Sequence, residues 1–282
     1  DMNGFRAASA GEETARGGIM AIGDSWTFGY GVAFEQSYPG ILADILGERV
    51  VVAASPAYSA TQSLLLAERW IGRLKPKALV YLDMGMRERG ACRGVSKPTA
   101  ILKPCYWQRD GTMQAELVFP PPGRIENLGH WGITPGGMVG AGEITWSYFL
   151  MARPYALVNG LLVRAGLIAG MANDFFAVAV DPGVIRTETF RHLLRVVEKA
   201  DVPFILLDPY DLWTGLSAGL PPETARRVRR IGKAAWQAAV DTPASALPAH
   251  ERQVPNDGHF GAGANRLVAA LIARALAEAD AH

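Results

Sequence analysis

The sequence predicts a doubly wound α/β sandwich, in which helices cover both faces of a parallel sheet. Short apolar runs bounded by Gly, Pro or Asp show continuous rather than alternating hydrophobicity, which is typical of strands buried on both faces. These runs are Ile19 to Ile22, Val50 to Ala53, Ala78 to Leu82 and Phe204 to Leu207. Helical patterns alternate with the strands, as in βαβ units. They are Gln36 to Leu46, Thr61 to Leu74, Thr187 to Lys199, Glu223 to Val240 and Ala262 to Ala279.

The composition is that of an ordinary globular domain with a neutral surface. The chain has 282 residues, of which 49% are hydrophobic and 20% charged, so it can bury a sizeable core as one domain, residues 1–282. Its 28 Lys and Arg nearly balance 27 Asp and Glu, which argues against electrostatic capture of nucleic acid or an anionic membrane. One basic run in the fourth predicted helix is expected to form a solvated face. It comprises Arg226, Arg227, Arg229, Arg230 and Lys233.

The alternation of strands and helices stops after Leu82. From Asp83 to about Gly142 there is little periodicity of either kind, and a long apolar helical stretch follows near Glu143 to Gly170. Irregular segments of this length inside a compact domain usually serve as lids or binding loops. We therefore expect residues 84–175 to form an insertion, or lid, over the carboxyl edge of the sheet.

Two cysteines, Cys92 and Cys105, both lie in that irregular segment. A disulfide between them would indicate an oxidising compartment, and two unrelated thiols are an equal alternative. Neither belongs to a CxxC pair, and no HExxH-type spacing occurs, so the sequence predicts no metal site.

The chain contains no run of about 18 apolar residues, so no transmembrane helix is predicted within it. The first residues, "DMNGFRAASAGEETARGG", include no initiator Met and no signal peptide. We expect the natural N-terminus to be absent from this sequence, which leaves open a membrane association through the missing segment.

The stretch "GGIMAIGDSWTFGYGV" places Ser25 directly after the first predicted strand. Ligand sites of open α/β sheets lie at the carboxyl ends of the strands. The glycines here, Gly23, Gly29 and Gly31, do not have the spacing of a dinucleotide fingerprint, and a phosphate-binding P-loop would need a Lys that is missing. Two interpretations remain: Ser25 caps a helix, or it is a nucleophile.

Near the other end of the chain, "VPNDGHFGAGANRLV" places Asp257 and His259 in a loop before an amphipathic helix. A serine hydroxyl needs a base to accept its proton, and an imidazole base needs a carboxylate to hold its tautomer. Each residue alone is more simply explained as part of a surface loop. Together with Ser25 they predict a Ser–His–Asp triad.

Five segments carry a match to a known family. They are "NGFR", "GGIMAIGDSWTFGYGVAFEQSYPGILADIL", "VVVAASPAYSATQSLLL", "KPKALVYLDMGMRE" and "PNDGHFGAGANRLVAALIARAL". On these segments the sequence resembles the SGNH/GDSL hydrolases, in particular bacterial members linked to cell-surface polysaccharides. The resemblance covers both ends of the chain and the order of elements, but not the insertion. It implies a three-layer α/β/α sandwich with a flavodoxin-like parallel sheet.

The resemblance also implies roles for the residues of the triad. Ser25 would be the nucleophile, His259 the base, Asp257 the acid that orients it, and Asp24 a structural support of the turn. The family often places its acid three residues before the histidine, where this chain has Asn256. Either Asp257 acts from its shorter spacing or an amide orients the base, and we prefer Asp257 because a carboxylate stabilises imidazolium.

The family's oxyanion hole combines the Ser25 amide with a backbone amide from a second motif and an Asn side chain from a third. In the second motif Ala54 is the best match to a usual glycine. The third motif, usually Gly-x-Asn-Asp, here begins at Gly85 and has Arg87 in place of Asn. Arg87 would stabilise an oxyanion by charge, bind an acidic sugar, or form an ion pair with a carboxylate.

The function implied is a serine esterase that removes or transfers acetyl or other small acyl groups on carbohydrate, from cell-surface or exopolysaccharide. It needs no metal or organic cofactor, and its partner would be a small-molecule or oligosaccharide acyl ester. Trp107 and Trp131, in the insertion, would stack on sugar rings or build the core of the lid. A periplasmic or extracytoplasmic location follows from the resemblance. The alternative is a catalytically reduced glycan-binding or scaffold protein of the same fold.

Overall fold

The computed structural model describes residues 5–7, 16–56, 58–85 and 182–280, with the backbone of four short strands between 105 and 138. The chain divides into two compact units. The first consists of residues 1–88 and 186–282, and the second of residues 89–185. The candidate residues Ser25, Asp257 and His259 all belong to the first unit.

The first unit contains a five-stranded, all-parallel sheet. In chain order the strands of the protein are β1 (Ile19–Gly23), β2 (Val50–Ala54), β3 (Ala78–Leu82), β4 (Cys105–Gln108), β5 (Ala115–Val118), β6 (Ile133–Thr134), β7 (Gly137–Met138), β8 (Phe204–Leu207) and β9 (Val228–Ile231). The strand order across the sheet is β2-β1-β3-β8-β9. In the second unit β4 pairs with β5 and β6 with β7, both antiparallel.

The register aligns the carboxyl ends of the first three strands at one edge. Gly23 at the end of β1 pairs with Ala54 at the end of β2, and Ile22 pairs with Tyr81 of β3. Because parallel strands end at the same edge, the residues that follow them converge there. Ser25 and Asp83 are among these residues.

Ten α-helices occur among the residues that the structure describes, besides a short 3-10 helix at Phe34–Gln36. They are α1 (Ser25–Phe28), α2 (Tyr38–Leu46), α3 (Ala60–Leu74), α4 (Pro182–Ala200), α5 (Thr214–Ser217), α6 (Pro222–Arg227), α7 (Lys233–Trp236), α8 (Thr242–Ser245), α9 (Ala249–Arg252) and α10 (Ala262–Asp280). The longer ones begin at clear signals in the sequence. Ser59 and Gln62 form a capping box at the start of α3, and Ser37 caps α2.

Both faces of the sheet are buried, as the continuous apolar runs predict. In β1, Ile19 and Ala21 belong to the core cluster that contains Leu42 of α2 and Val268 of α10. Successive side chains of a strand point to opposite faces, and Met20 is fully buried as well. The helix α3 contacts β1 and β2. The fold is thus α/β, with helices around a parallel sheet, and is compatible with an α/β sandwich.

The predicted helix from Glu223 to Val240 is wrong. The chain forms α6, then the edge strand β9, then α7 and a π-helical turn at Gln237–Asp241. The strand forms because β9 pairs with β8, and this pairing places the Arg230 guanidinium beside the buried carboxylate of Asp208. Tertiary pairing therefore overrides the local helical pattern. The basic run predicted as one solvated helical face is instead divided among α6, β9 and α7.

Most of the predicted insertion at residues 84–175 lies outside the described residues, including the helical stretch near Glu143 to Gly170. Its interpretation as a lid stays a prediction. Among the helices that the structure describes, none is both long and apolar enough to cross a membrane.

Candidate active site

The turn after β1 fixes the position of Ser25. Gly23 has φ +153°, and a Cβ atom there would lie 2.2 Å from Thr27 Oγ1, so only glycine fits. Asp24 is the N-cap of α1, because its Oδ1 accepts the backbone N–H of Trp26 at 2.9 Å. The interpretation of Ser25 as the helix cap is therefore wrong. The Ser25 hydroxyl instead contacts a group outside the turn.

That group is the imidazole of His259, whose Nε2 lies 2.7 Å from Ser25 Oγ. The other ring nitrogen, Nδ1, contacts Oδ1 of Asp257. A proton on Nδ1 donated to this carboxylate leaves Nε2 to accept the serine hydroxyl. The structure thus brings the three predicted residues together in one hydrogen-bonded chain.

Asp257 is held in place by the backbone of the same loop. Its Oδ1 also accepts the backbone N–H of His259 at 2.9 Å, and its own N–H donates to the Val254 carbonyl at 3.0 Å. The hydrogen bonds from the His259 backbone and side chain lower the pKa of Asp257. The carboxylate is therefore ionised at neutral pH and suited to orient an imidazole.

Asn256, the other candidate for the acid, has a different position in the loop. It adopts φ +58°, a left-handed conformation that Asn tolerates better than most residues. The carboxylate that contacts the imidazole belongs to Asp257, not to this position.

Asn265 attaches the histidine loop, residues 253–261 between α9 and α10, to α10 and to α2. This fully buried residue lies in the first turn of α10, and its Nδ2 donates to the carbonyls of Phe260 and Gly261, both at 3.2 Å. Its Oδ1 accepts the backbone N–H of Tyr38 at 3.1 Å, at the start of α2. Sequence reasoning missed this residue. A lone Asn among apolar residues of an amphipathic helix was the available signal.

Aromatic rings lie around the imidazole. The ring centroids of Trp26 and Tyr30 are 4.8 Å and 5.1 Å from that of His259, and Phe260 packs edge-on against Trp26 at 4.4 Å. These contacts restrict the orientation of the imidazole. Sequence reasoning also missed Trp26 and Tyr30, whose only signal was their position one and five residues after the serine.

Two buried carboxyl groups, Asp24 and Asp83, directly follow β1 and β3, and Asp24 immediately precedes Ser25. Burial raises the pKa of Asp24 to about 7 and that of Asp83 to about 6. Asp83 Oδ1 accepts the N–H of Gly85 at 2.9 Å, and its Oδ2 accepts the indole N–H of Trp213 at 2.8 Å. Gly85, predicted as part of the oxyanion hole, has φ +70°, and the hydrogen bond from its N–H to Asp83 holds it in that turn.

The other predicted site residues are placed only in part. Ala54 ends β2, is buried, and pairs with Gly23. Arg87 and Trp131 lie outside the described residues. Trp107 belongs to β4 of the second unit, but its side chain is also outside the described part of the chain. The same holds for Cys92 and for the thiol of Cys105, so the disulfide stays a prediction.

Within the described ranges, no group of three or more His, Cys, Asp or Glu side chains is arranged to hold a metal ion. Comparison with known proteins finds no family model that matches this chain and no curated protein with significant similarity to it.

Proposed function

We propose that this protein is a serine-dependent esterase or acyltransferase of the SGNH type. The observation that carries the proposal is the contact between His259 Nε2 and Ser25 Oγ at 2.7 Å, with Asp257 behind the imidazole. The sheet order supports it, since its five strands follow the order 2-1-3-4-5 of flavodoxin-like folds. A three-layer sandwich of SGNH type is the finer fold that we infer.

In the proposed reaction Ser25 Oγ bonds to the carbonyl carbon of an ester while its proton passes to His259 Nε2. The tetrahedral intermediate then expels the alcohol, which takes the proton from Nε2 and leaves an acyl group on Ser25. Water or a sugar hydroxyl gives a proton to Nε2 and attacks the acyl carbon. The second tetrahedral intermediate then expels Ser25 Oγ, which takes the proton back from Nε2, and the acid or the new ester is released.

Negative charge on the carbonyl oxygen would be stabilised by the backbone amides of Ser25 and Ala54 and by the Arg87 side chain. Gly85 would contribute through its turn conformation, because its own N–H donates to Asp83. Preorganised donors of this kind each contribute about 2.7–4 kcal/mol to the transition state. The burial of Ser25 and Ala54 supports this assignment, because hydrogen bonds strengthen where water is excluded.

We infer a carbohydrate acyl ester, with acetyl as the first candidate acyl group, and an extracytoplasmic location from the resemblance of the five segments named above. Trp107 and Trp131 are proposed sugar contacts. The triad itself supplies nucleophile, base and acid, so the proposed mechanism requires no cofactor.

Labelling with a fluorophosphonate tests the nucleophile directly. The intact protein is expected to be modified at Ser25, and Ser25→Ala is expected to abolish both the label and the turnover of an acetyl ester. Ser63→Ala, at a buried serine of α3, is the matched control and should label like the wild type. Ester turnover by Ser25→Ala would exclude the mechanism.

Esterase and transferase differ only in the acceptor that reaches the acyl-enzyme. Incubation with an activated acetyl ester, with and without an oligosaccharide, separates them. Free acetate in both mixtures indicates an esterase, and acetylated sugar indicates a transferase.

The second candidate is a glycan-binding or scaffold protein that has lost most catalysis. The specific observation in its favour is Arg87 in place of the usual Asn of the third motif. An unlabelled Ser25 in folded protein, together with measurable oligosaccharide binding, is the outcome that would favour it.

A further inference from the structure

The turn that follows α1 presents an exposed aromatic ring beside the base. In this turn, Gly29–Val32, the Tyr30 ring centroid lies 5.1 Å from that of His259, and 47% of the residue is exposed. The turn also packs on the histidine loop: a Cβ atom on Gly31 would lie 2.8 Å from Val254 Cγ1. Tyr30 therefore belongs to the surface around the site while its backbone is closely packed.

Arg6 holds this turn from the N-terminal segment. Its guanidinium donates to the carbonyl oxygens of Phe28, Gly29 and Val32, and lies 4.9 Å from the centroid of the Phe28 ring. A guanidinium presents five N–H donors in a rigid planar fork, whereas an ammonium is a compact point charge. One side chain therefore binds the last carbonyl of α1 and two carbonyls of the turn that follows it.

The proposed reaction determines which part of an ester lies beside His259. The imidazole that accepts the serine proton must give it to the oxygen of the departing alcohol. The alcohol part of the substrate therefore lies next to Nε2, and the acyl part lies towards Ser25 Oγ and the oxyanion donors. An exposed ring that packs on the imidazole is adjacent to the alcohol part.

We propose that Tyr30 is the binding residue for the alcohol part of the substrate, a sugar ring that packs its C–H face on the phenol, and that Arg6 positions it. The inference rests on the proposed function and adds to it a determinant of substrate choice. Aromatic side chains suit this role, since they offer a large rigid apolar face with a polar edge.

Two esters with the same acyl group test the inference: an acetylated methyl glucoside and ethyl acetate. Tyr30→Ala is expected to lower kcat/KM for the sugar ester about tenfold, mostly through KM. It should lower kcat/KM for ethyl acetate by about threefold or less, because that alcohol is too small to use the ring and only the contact of the ring with His259 is lost. Tyr30→Phe keeps the ring and should behave like the wild type on both esters.

Arg6→Ala should reproduce the pattern of Tyr30→Ala, and Arg6→Lys should restore little of the loss. If Arg6 acts through Tyr30, the variant with both alanine substitutions should lose no more kcat/KM for the sugar ester than either single variant. Ile45→Ala is the matched control, since Ile45 is similarly exposed but lies in the last turn of α2. It should leave kcat/KM for both esters unchanged.

Several results would overturn the inference. An unchanged kcat/KM of Tyr30→Ala for the sugar ester would exclude a binding role for the ring. Equal losses of kcat/KM on both esters would show that the ring only supports His259. Additive losses in the double variant would show that Arg6 does not act through Tyr30. A wild-type protein inactive on both esters would instead refute the proposed function, and the inference with it.

Discussion

The Nε2 atom of His259 lies 2.7 Å from the Oγ atom of Ser25, although 234 positions separate the two residues in the chain. Two packing relationships produce this contact. The serine follows a strand of the sheet, and the histidine loop is fixed through Asn265 to α10 and to the start of α2. Both helices belong to the core on one face of that sheet.

Asp257→Asn should lower kcat by roughly 10³-fold or more with little change in KM, since an amide does not stabilise imidazolium and can favour the wrong tautomer. Steady-state kinetics on an acetyl ester measure the change. Asn256→Asp is the control and should neither lower the activity nor rescue Asp257→Asn, because the contact to Nδ1 comes from position 257. Rescue by Asn256→Asp would transfer the orienting role to position 256.

Gly23→Ala should lower the free energy of unfolding by about 3 kcal/mol, because its Cβ would lie 2.2 Å from Thr27 Oγ1 at a backbone angle that L-residues rarely adopt. Urea denaturation measures the change. Gly72→Ala in α3 is the control, since nothing lies within 4 Å of a Cβ there, and it should stabilise the protein by up to about 1 kcal/mol. Equal effects of the two substitutions would contradict this steric account.

Arg230→Ala should destabilise the protein by about 3–5 kcal/mol, because it leaves the fully buried carboxylate of Asp208 without its ion-pair partner. The adjacent Arg229 pairs with Glu278 on the surface, and Arg229→Ala should cost less than about 1 kcal/mol. Thermal and urea unfolding of both variants measure the difference. Losses of similar size would mean that the Asp208 pair contributes no more than a surface pair.

The buried Asp24 makes stability depend on pH. Its pKa rises from 3.8 to about 7 on folding, so the folded state binds the proton more tightly. Its contribution to stability is fully present below pH 3.8 and is lost as the pH rises through about 7. An Asn side chain does not titrate. The free energy of unfolding of Asp24→Asn should therefore rise by roughly 2 kcal/mol relative to that of the wild type between pH 5 and pH 7.

Urea unfolding of the wild type and of Asp24→Asn at the two pH values measures this difference. Asp83 titrates in the same direction in both proteins, so its effect largely cancels. Asp44→Asn, which removes a carboxylate from an exposed position of α2, is the control. If the two proteins differ in free energy of unfolding by the same amount at pH 5 and at pH 7, the pKa of Asp24 is not raised by folding.

Local patterns predicted four of the five sheet strands because continuous apolar runs between turn residues mark strands with two buried faces. They failed at β9, whose sequence "VRRI" has no such run. Its pairing with β8 and the ion pair of Arg230 with Asp208 depend on residues distant in the chain. For the same reason the role of Arg6 was not predicted, because its hydrogen bonds join it to carbonyls more than 20 positions away in the chain.

The sequence alone determined which residue types are available for chemistry and which apolar segments become strands, because composition and periodicity are local properties. Only the tertiary structure decided that Asp24 caps α1, that Asp257 contacts the imidazole, and that Ser25 faces His259. These relationships depend on distances between segments far apart in the chain. Such distances are set by packing across the sheet, which no local pattern specifies.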